Sequence, residues 1–185
     1  DILDSAKIYS SLDEALSEKT LILGTSARER TIPWPTVSSN NIDTDITNLD
    51  NKNKISILFG REKSGLTNEE LQRCNIHIKI PSSEDYTSLN LSHAVQIISY
   101  EIRNALLKNQ SNEIKTDVPL STDKDDEFLL KHVDEVLLDL DFYDQASSRQ
   151  VKARLKRLLK KARPDKLEVG ILRGFLSKIQ ELLNK

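Results

Sequence analysis

Three short apolar segments, each followed by glycine or small polar residues, constrain the fold of this chain more than any other feature. They run from Thr20 to Leu23, from Ile55 to Phe59 and from Ile76 to Ile80, and helical patterns alternate with them. Strands that alternate with helices predict an α/β domain with a mainly parallel sheet. Because ligands bind at the carboxyl ends of the strands in such sheets, the three strand ends predict one shared cleft.

The composition narrows the class of protein. The 185 residues include one cysteine, Cys74, so no internal disulfide can form and a reducing, cytoplasmic setting is expected. We expect neither a membrane-spanning segment nor a secretory leader, and therefore no membrane partner. The glycine motifs that bind nucleoside triphosphates and dinucleotides are missing from the sequence. The three histidines lack the spacing of metal ligands, so no metal site is predicted.

Apolar residues recur at helical spacing in six segments, which predicts six helices. These segments are Asp4 to Lys19, Thr67 to Cys74, Leu91 to Leu107, Leu129 to Leu140, Val151 to Ala162 and Leu172 to Leu183. Thr67 caps the second segment, with Glu70 at capping-box spacing. The stretch from 25 to 54 is long for a loop, so it is either functional or contains a short helix.

This pattern predicts two domains. Residues 1–108 form the α/β domain, and residues 109–124 are polar and form a linker. Residues 125–185 contain three amphipathic helices and no strand, which predicts a small all-α domain. None of these helices is stable alone in water, so they pack together, on the α/β domain or on a second subunit.

Opposite charges are concentrated in neighbouring parts of the second domain. Residues 113–144 contain eleven acidic residues and three lysines, whereas residues 149–163 contain eight basic residues and no acidic one. The basic helix either pairs with the acidic helix before it or binds nucleic-acid phosphates. On the second interpretation, Arg154, Arg157 and Lys161 are candidate RNA contacts.

Two features of the first long loop also suit a phosphate-rich ligand. Arg28 and Arg30 follow the first strand at the predicted cleft, and the guanidinium fork matches phosphate oxygens. Trp34, between Pro33 and Pro35, either stacks on a base or covers the core as an aromatic plug. The second use is more common.

Three motifs resemble those of the SpoU-class RNA 2′-O-methyltransferases, which belong to the knotted SPOUT superfamily. They are GTSARER at 24–30, FGRE through GLT at 59–67, and YTSLNL at 86–91. Within the class, the arginine-rich loop and the helical tail most resemble enzymes that methylate the ribose at position 32 of the tRNA anticodon loop, on cytidine or uridine. The alternatives are a non-catalytic RNA-binding relative and an enzyme of the class that acts on a different RNA.

The resemblance implies a trefoil knot, which is rare in proteins, and S-adenosylmethionine bound in the cleft that the knot forms. The cofactor-binding positions carried over are Thr25, Ser26, Ala27, Gly60, Ile80, Thr87, Ser88 and Leu89. Glu62, Ser88 and Asn90 match polar positions that order the catalytic site. Arg28, Arg30 and Arg61 match the RNA contacts.

The resemblance also implies partners and a missing part. Members of the class are homodimers that pair through the knot, so we expect a homodimer that binds tRNA. The sequence aligns with the family from partway into the domain. We therefore expect the first strands and the main catalytic arginine to lie in an N-terminal segment that precedes Asp1.

Overall fold

The computed structural model describes residues 4–27, 32–42, 46, 53–83, 88–108, 118–143 and 148–184. Within these residues, four strands form one sheet in the order β2-β4-β1-β3, and every neighbouring pair is parallel. The strands are β1 (Leu21–Thr25), β2 (Thr36–Ser38), β3 (Ile55–Leu58) and β4 (Ile76–Lys79). The helices are α1 (Leu12–Leu16), α2 (Asn68–Gln72), α3 (Leu91–Lys108), α4 (Asp123–Asp139), α5 (Ser148–Ala162) and α6 (Lys166–Leu183). The predicted α/β class and parallel sheet are confirmed.

β1 is the centre of the core because both of its faces are covered. Leu21 and Leu23 lie in one apolar cluster with Ile98 of α3, whereas Ile22 points to the opposite face and packs against Leu16 and Cys74. A strand that is buried on both faces requires a continuous apolar run rather than an alternating one. This is why the segment from Thr20 to Leu23 is recognisable in the sequence.

Cys74 is fully buried, as expected of a small apolar residue. Burial raises the pKa of its thiol to about 12, so the thiol stays protonated and unreactive at neutral pH.

β2 is a strand that the sequence pattern does not predict. It lies within the long stretch expected to be functional or to contain a short helix, and that stretch does contain a short 3-10 helix, Ser39–Asn41. β2 pairs with β4 through Thr36 and His77. Three residues are too few for a recognisable alternating pattern. The neighbouring Trp34 is 8% exposed, donates a hydrogen bond from Nε1 to the Cys74 carbonyl (2.8 Å), and stacks on His77. Trp34 is therefore a plug over the core.

Two predicted helices are shorter than expected. The first is predicted from Asp4 to Lys19 but includes only Leu12–Leu16, because the Ser11 side chain caps its N-terminus by accepting a hydrogen bond from the Glu14 N–H. The apolar residue Ile8 lies upstream and is exposed. α2 ends at Gln72 rather than Cys74, and its predicted capping box between Thr67 and Glu70 is confirmed.

The three C-terminal helices are confirmed and pack around Leu129, Leu159 and Val169. α4 begins at Asp123, so residues 123 and 124 of the predicted linker are helical. Their N–H groups donate to the carbonyls of Lys19 and Ser17, which joins the start of α4 to the end of α1. Residues 109–117 of the predicted linker lie outside the described residues. Among the described helices, none is long and apolar enough to cross a membrane.

A network of ion pairs that share Asp123 joins the helical part to the α/β part. Lys160 is 1% exposed, and its Nζ donates to Asp123 Oδ1 at 2.8 Å and to Asp126 Oδ2 at 2.9 Å. Arg73, which follows α2, forms ion pairs with Asp123 and with Asp13, in α1. Burial acts to lower the pKa of Lys160, but the charges of Asp126 and Asp123 outweigh it and raise the pKa. The network fixes α4 and α5 against the α/β part of the molecule.

The basic helix has one face that pairs with acidic residues and another that remains positive. Lys152, Lys156 and Lys160, which lie four residues apart, pair with carboxylates of α4. Arg154 and Lys161 are exposed. Charge pairing therefore accounts for one face of α5 only.

Candidate active site

The carboxyl ends of β1, β3 and β4 open into one cleft of about 180 Å³. Seven of the predicted cofactor-binding residues line it, and these are Thr25, Ser26, Ala27, Gly60, Ile80, Ser88 and Leu89. Thr87, the eighth, lies outside the described residues. Residues that are up to 64 positions apart in the sequence thus meet at one edge of the sheet, as the parallel topology requires.

A tight loop forms one wall of the cleft. We refer to residues 59–66 as the cleft loop. The N–H of Gly65 donates to the Arg61 carbonyl at 2.8 Å, and the N–H of Arg61 donates back to the Gly65 carbonyl at 3.3 Å. A Cβ added at Gly60 would lie 2.2 Å from the carbonyl carbon of Gly65, and Gly65 has a φ of +68°. Both glycines are required for the loop to close.

The strand ends are held in place by polar groups of the cleft residues themselves. The Thr25 hydroxyl donates to the Leu58 carbonyl at 3.1 Å, which joins the ends of β1 and β3. The Ser26 N–H donates to the Ile78 carbonyl at 3.0 Å, which joins β1 to β4. The predicted residues Thr25 and Ser26 therefore also fix the distances between the strand ends that form the cleft.

The cleft combines apolar walls with a charged rim. Sequence reasoning does not identify much of the apolar wall, which includes Phe59, Leu66, Ile78, Leu91 and Ala94. The feature of the sequence that could have identified these residues is their position at strand ends and at the start of a helix. Glu62 is the single carboxylate among the described residues that line the cleft, and Arg61 and Lys63 are its cations.

Asn90 does not line the cleft, in contrast to its neighbours Ser88 and Leu89. Its Oδ1 accepts hydrogen bonds from the N–H of Ser92 (2.9 Å) and from the Ser92 hydroxyl (2.8 Å). This is an N-terminal cap of α3. Asn90 therefore acts on the cleft indirectly, by capping α3, whose residues Leu91 and Ala94 line the cleft.

Arg61 is held by a residue that sequence reasoning does not assign to the site. Its Nη1 and Nη2 donate to the two carboxylate oxygens of Glu70 at 3.1 and 3.0 Å. One of these oxygens also accepts from the Thr67 N–H at 2.7 Å. The hydrogen bonds from Arg61 lower the pKa of Glu70. Glu70 is visible in the sequence as a capping residue, but nothing local indicates its arginine partner.

The other predicted RNA contacts lie either outside the described residues or on α5. Arg28 and Arg30 lie outside the described residues. Arg154, Arg157 and Lys161 of α5 are absent from the cleft lining. Arg157 donates from Nη1 to the Pro33 carbonyl at 2.9 Å, so it fastens α5 to the segment that precedes β2.

Comparison with known proteins identifies the family. Residues 3–100 match the family described as SpoU rRNA Methylase. The chain belongs to the SpoU methylase family. Residues 124–185 of this SpoU methylase match the family described as tRNA methyltransferase TrmJ, C-terminal domain. The resemblance drawn from the three motifs is confirmed.

Curated relatives agree with this assignment over nearly the whole chain. The tRNA (cytidine/uridine/adenosine-2′-O-)-methyltransferase TrmJ of Pseudomonas aeruginosa (strain UCBPP-PA14) is 40% identical, over 98% of this chain and 75% of the relative. The tRNA (cytidine/uridine-2′-O-)-methyltransferase TrmJ of Photorhabdus laumondii is 43% identical, over 100% of this chain and 78% of the relative.

Solved structures share the fold of this SpoU methylase. TrmJ from Z. mobilis ZM4 has a TM-score of 0.80 at 23% identity, covering 97% of this chain and 75% of that structure, and this likeness concerns the fold alone. A probable methylase family protein from Haemophilus influenzae Rd KW20 is 34% identical with a TM-score of 0.56, covering 99% of this chain and 76% of that structure.

Proposed function

We propose that this chain transfers the methyl group of S-adenosylmethionine to the ribose 2′-hydroxyl of tRNA, at a cytidine or uridine in position 32 of the anticodon loop. The observation that carries the proposal is the cleft, where all three SpoU motifs contribute lining residues. The names of the relatives at 40% and 43% identity support tRNA as the substrate and ribose as the site of methylation.

The lining of the cleft fits S-adenosylmethionine. Ile78, Ile80 and Leu89 offer apolar walls of the kind that suit an adenine ring. Ala27 and Gly60 line the cleft with little or no side chain, so few atoms separate a ligand from their backbone groups. Glu62 and Ser88 provide a carboxylate and a hydroxyl for the polar parts of the cofactor. The bound cofactor would supply an electrophilic methyl group.

The residues of the chain have two tasks in this reaction. The first is to hold the ribose hydroxyl in line with the methyl group, and alignment alone accounts for a large part of such rate enhancements. The second is to accept a proton from the hydroxyl or to stabilise its charge. Glu62 and Arg61 are the charged groups on the cleft rim that suit these roles, with Arg61 oriented by Glu70.

We also propose that the chain acts as a knotted homodimer in the cytoplasm. α3 buries Ile98 and Ala105 against its own subunit, but leaves Val95, Tyr100, Leu106 and Leu107 between 39% and 59% exposed. A second copy of the chain that covers this face would remove it from water. The knot rests on the family likeness, and a single buried cysteine suits a reducing compartment.

The experiment that tests the proposed reaction uses methyl-labelled S-adenosylmethionine and tRNA transcripts. A transcript with cytidine at position 32 should become labelled, and alkaline hydrolysis should leave the bond after that nucleotide intact. A matched transcript with 2′-deoxycytidine at position 32 should stay unlabelled. Label that survives in the deoxy transcript, or label on ribosomal RNA alone, would contradict the proposal.

A further inference from the structure

A second and larger hollow lies on the other side of α2 from the cleft. It encloses about 750 Å³ between α2 and α5, and we refer to it as the interdomain groove. The α5 wall contributes Arg149, Gln150, Lys152, Arg154 and Lys156. The α2 wall contributes Asn68, Glu69 and Gln72, and Trp34 and His77 also line the groove.

The lining of the groove is rich in hydrogen-bond donors and positive charge. Four cations face one carboxylate, that of Glu69, among the described residues that line it. The side-chain amides of Asn68, Gln72 and Gln150 add further donors. These charges and donors suit an anion with many oxygens and disfavour a cationic ligand.

The two arginines of the groove differ from its two lysines in their charge partners. No carboxylate of the described residues forms an ion pair with Arg149 or Arg154, and both are exposed. Lys152 and Lys156 are different because Asp134 and Glu127 hold them at 2.8 Å. The lysines thus build the wall of the groove, while the arginines are available to a ligand.

The wall carrying these arginines is anchored against the rest of the molecule. Arg157 joins α5 to the Pro33 carbonyl, and Lys160 is buried in its ion pairs with Asp123 and Asp126. The arginines therefore approach the ligand from an anchored helix rather than from a flexible tail, which lowers the entropy cost of binding.

Two connections place the groove near the cleft: a short segment of chain and the helix α2. Ala27 lines the cleft and Ile32 lines the groove, so at most about 18 Å of chain separates them. Glu70 of α2 holds Arg61 at the cleft, while Asn68 and Gln72 of the same helix line the groove. One extended ligand can therefore reach both.

We infer that the interdomain groove binds the sugar–phosphate backbone of the RNA substrate while the target ribose lies in the cleft. This inference rests on the proposed function. The guanidinium groups of Arg149 and Arg154 contact phosphate oxygens, which their planar forks match. The amides of Asn68 and Gln72 bind ribose hydroxyls or phosphates on the opposite wall. These interactions are independent of the base sequence, so they position the RNA and do not select the nucleotide.

The test compares two double variants of the full chain in tRNA binding across a salt series. Arg149→Gln with Arg154→Gln should weaken binding and lower the log-log salt slope by about two units, roughly 0.9 for each phosphate that is no longer neutralised. The matched control, Lys166→Gln with Arg173→Gln, removes the same charge from exposed positions of α6 outside the groove. It should leave the slope close to that of the unmodified chain.

Other outcomes of the same experiment would overturn the inference. Equal loss of affinity in both double variants would indicate a general positive field rather than a groove. An unchanged slope in the arginine variant, with methylation intact, would refute the groove and leave the proposed function standing. If the unmodified chain bound no tRNA but bound an acidic peptide through the arginines, both would fail.

A crosslinking measurement does not depend on the folding of the arginine variants. A photoreactive amino acid at Gln150, which lines the groove, should form adducts with bound tRNA. The same photoreactive group at Ser177, which is exposed on α6 and does not line the groove, serves as the control. Adducts at Ser177 but none at Gln150 would overturn the inference.

Discussion

Arg61 and Glu70 form an ion pair with two hydrogen bonds, of 3.1 and 3.0 Å, that joins the cleft loop to α2. The same carboxylate caps α2 by accepting from the Thr67 N–H. A single acidic residue thus sets both the start of a helix and the direction of an arginine on the cleft rim.

Glu70→Gln tests this positioning role. Glutamine preserves the capping box but removes the charge that holds the guanidinium. We expect KM for tRNA to rise about two- to fivefold, as for the removal of an exposed ion pair, with the affinity for S-adenosylmethionine unchanged. Glu18→Gln, at an exposed pair with Lys54, is the control. Equal kinetics in the two variants would refute the role.

The same pair makes the cleft loop sensitive to acid. Because Arg61 lowers the pKa of Glu70, this carboxylate stabilises the folded state above its ordinary pKa, and that stabilisation is lost as the pH falls through the lowered value. Carbon-13 NMR of the Glu70 carboxyl should report a pKa below that of free glutamate. In Arg61→Gln the pKa should rise. An identical titration in both proteins would contradict the pairing.

Lys160 should be essential for stability although it lies on a basic helix. Lys160→Met leaves Asp123 and Asp126 buried without this cation, which costs about 3–5 kcal/mol. Lys161→Met, at the exposed neighbouring position, should change the free energy of unfolding by about 0.5 kcal/mol or less. Urea denaturation measures both. Similar losses in the two variants would mean that Lys160 is solvated in solution.

The glycines of the chain should separate into two classes. Gly60→Ala forces a methyl group into the carbonyl carbon of Gly65, so we expect a loss of about 1–3 kcal/mol together with weaker binding of S-adenosylmethionine. Gly174→Ala on α6 meets open space and should stabilise the helix by roughly 0.5–1 kcal/mol. Thermal melting measures the stability of both variants, and calorimetric titration measures their binding of S-adenosylmethionine. A stabilised Gly60→Ala variant would disprove the tight loop.

The exposed apolar face of α3 predicts self-association. Replacing Leu106 and Leu107 with glutamate should convert a dimer into a monomer, because both side chains are more than half exposed in one subunit. Leu158→Glu, at a position that is 64% exposed on α5, should leave the dimer intact. Sedimentation velocity at micromolar concentration measures the oligomeric state of each protein. If the unmodified chain is a monomer, this interface is excluded.

Much of the architecture is determined by the sequence itself. Short apolar runs that end in glycine or small polar residues locate β1, β3 and β4, and helical stripes locate α3 to α6, because buried elements impose their period on the chain. The SpoU motifs identify the cleft residues, and the structure brings the seven described ones together. β2 is not predicted because its three residues, directly after a proline, are too few to show an alternating pattern.

Only the tertiary structure decides which charges are used within the protein and which face outward. Along the sequence, Lys160 and Lys161 are equivalent members of one basic run, yet the first is 1% exposed between two aspartates and the second is exposed. Likewise, nothing local joins Arg61 to Glu70 or sets Arg149 across from α2. A helical period predicts that one face is covered but not what covers it, since the partners come from distant parts of the chain.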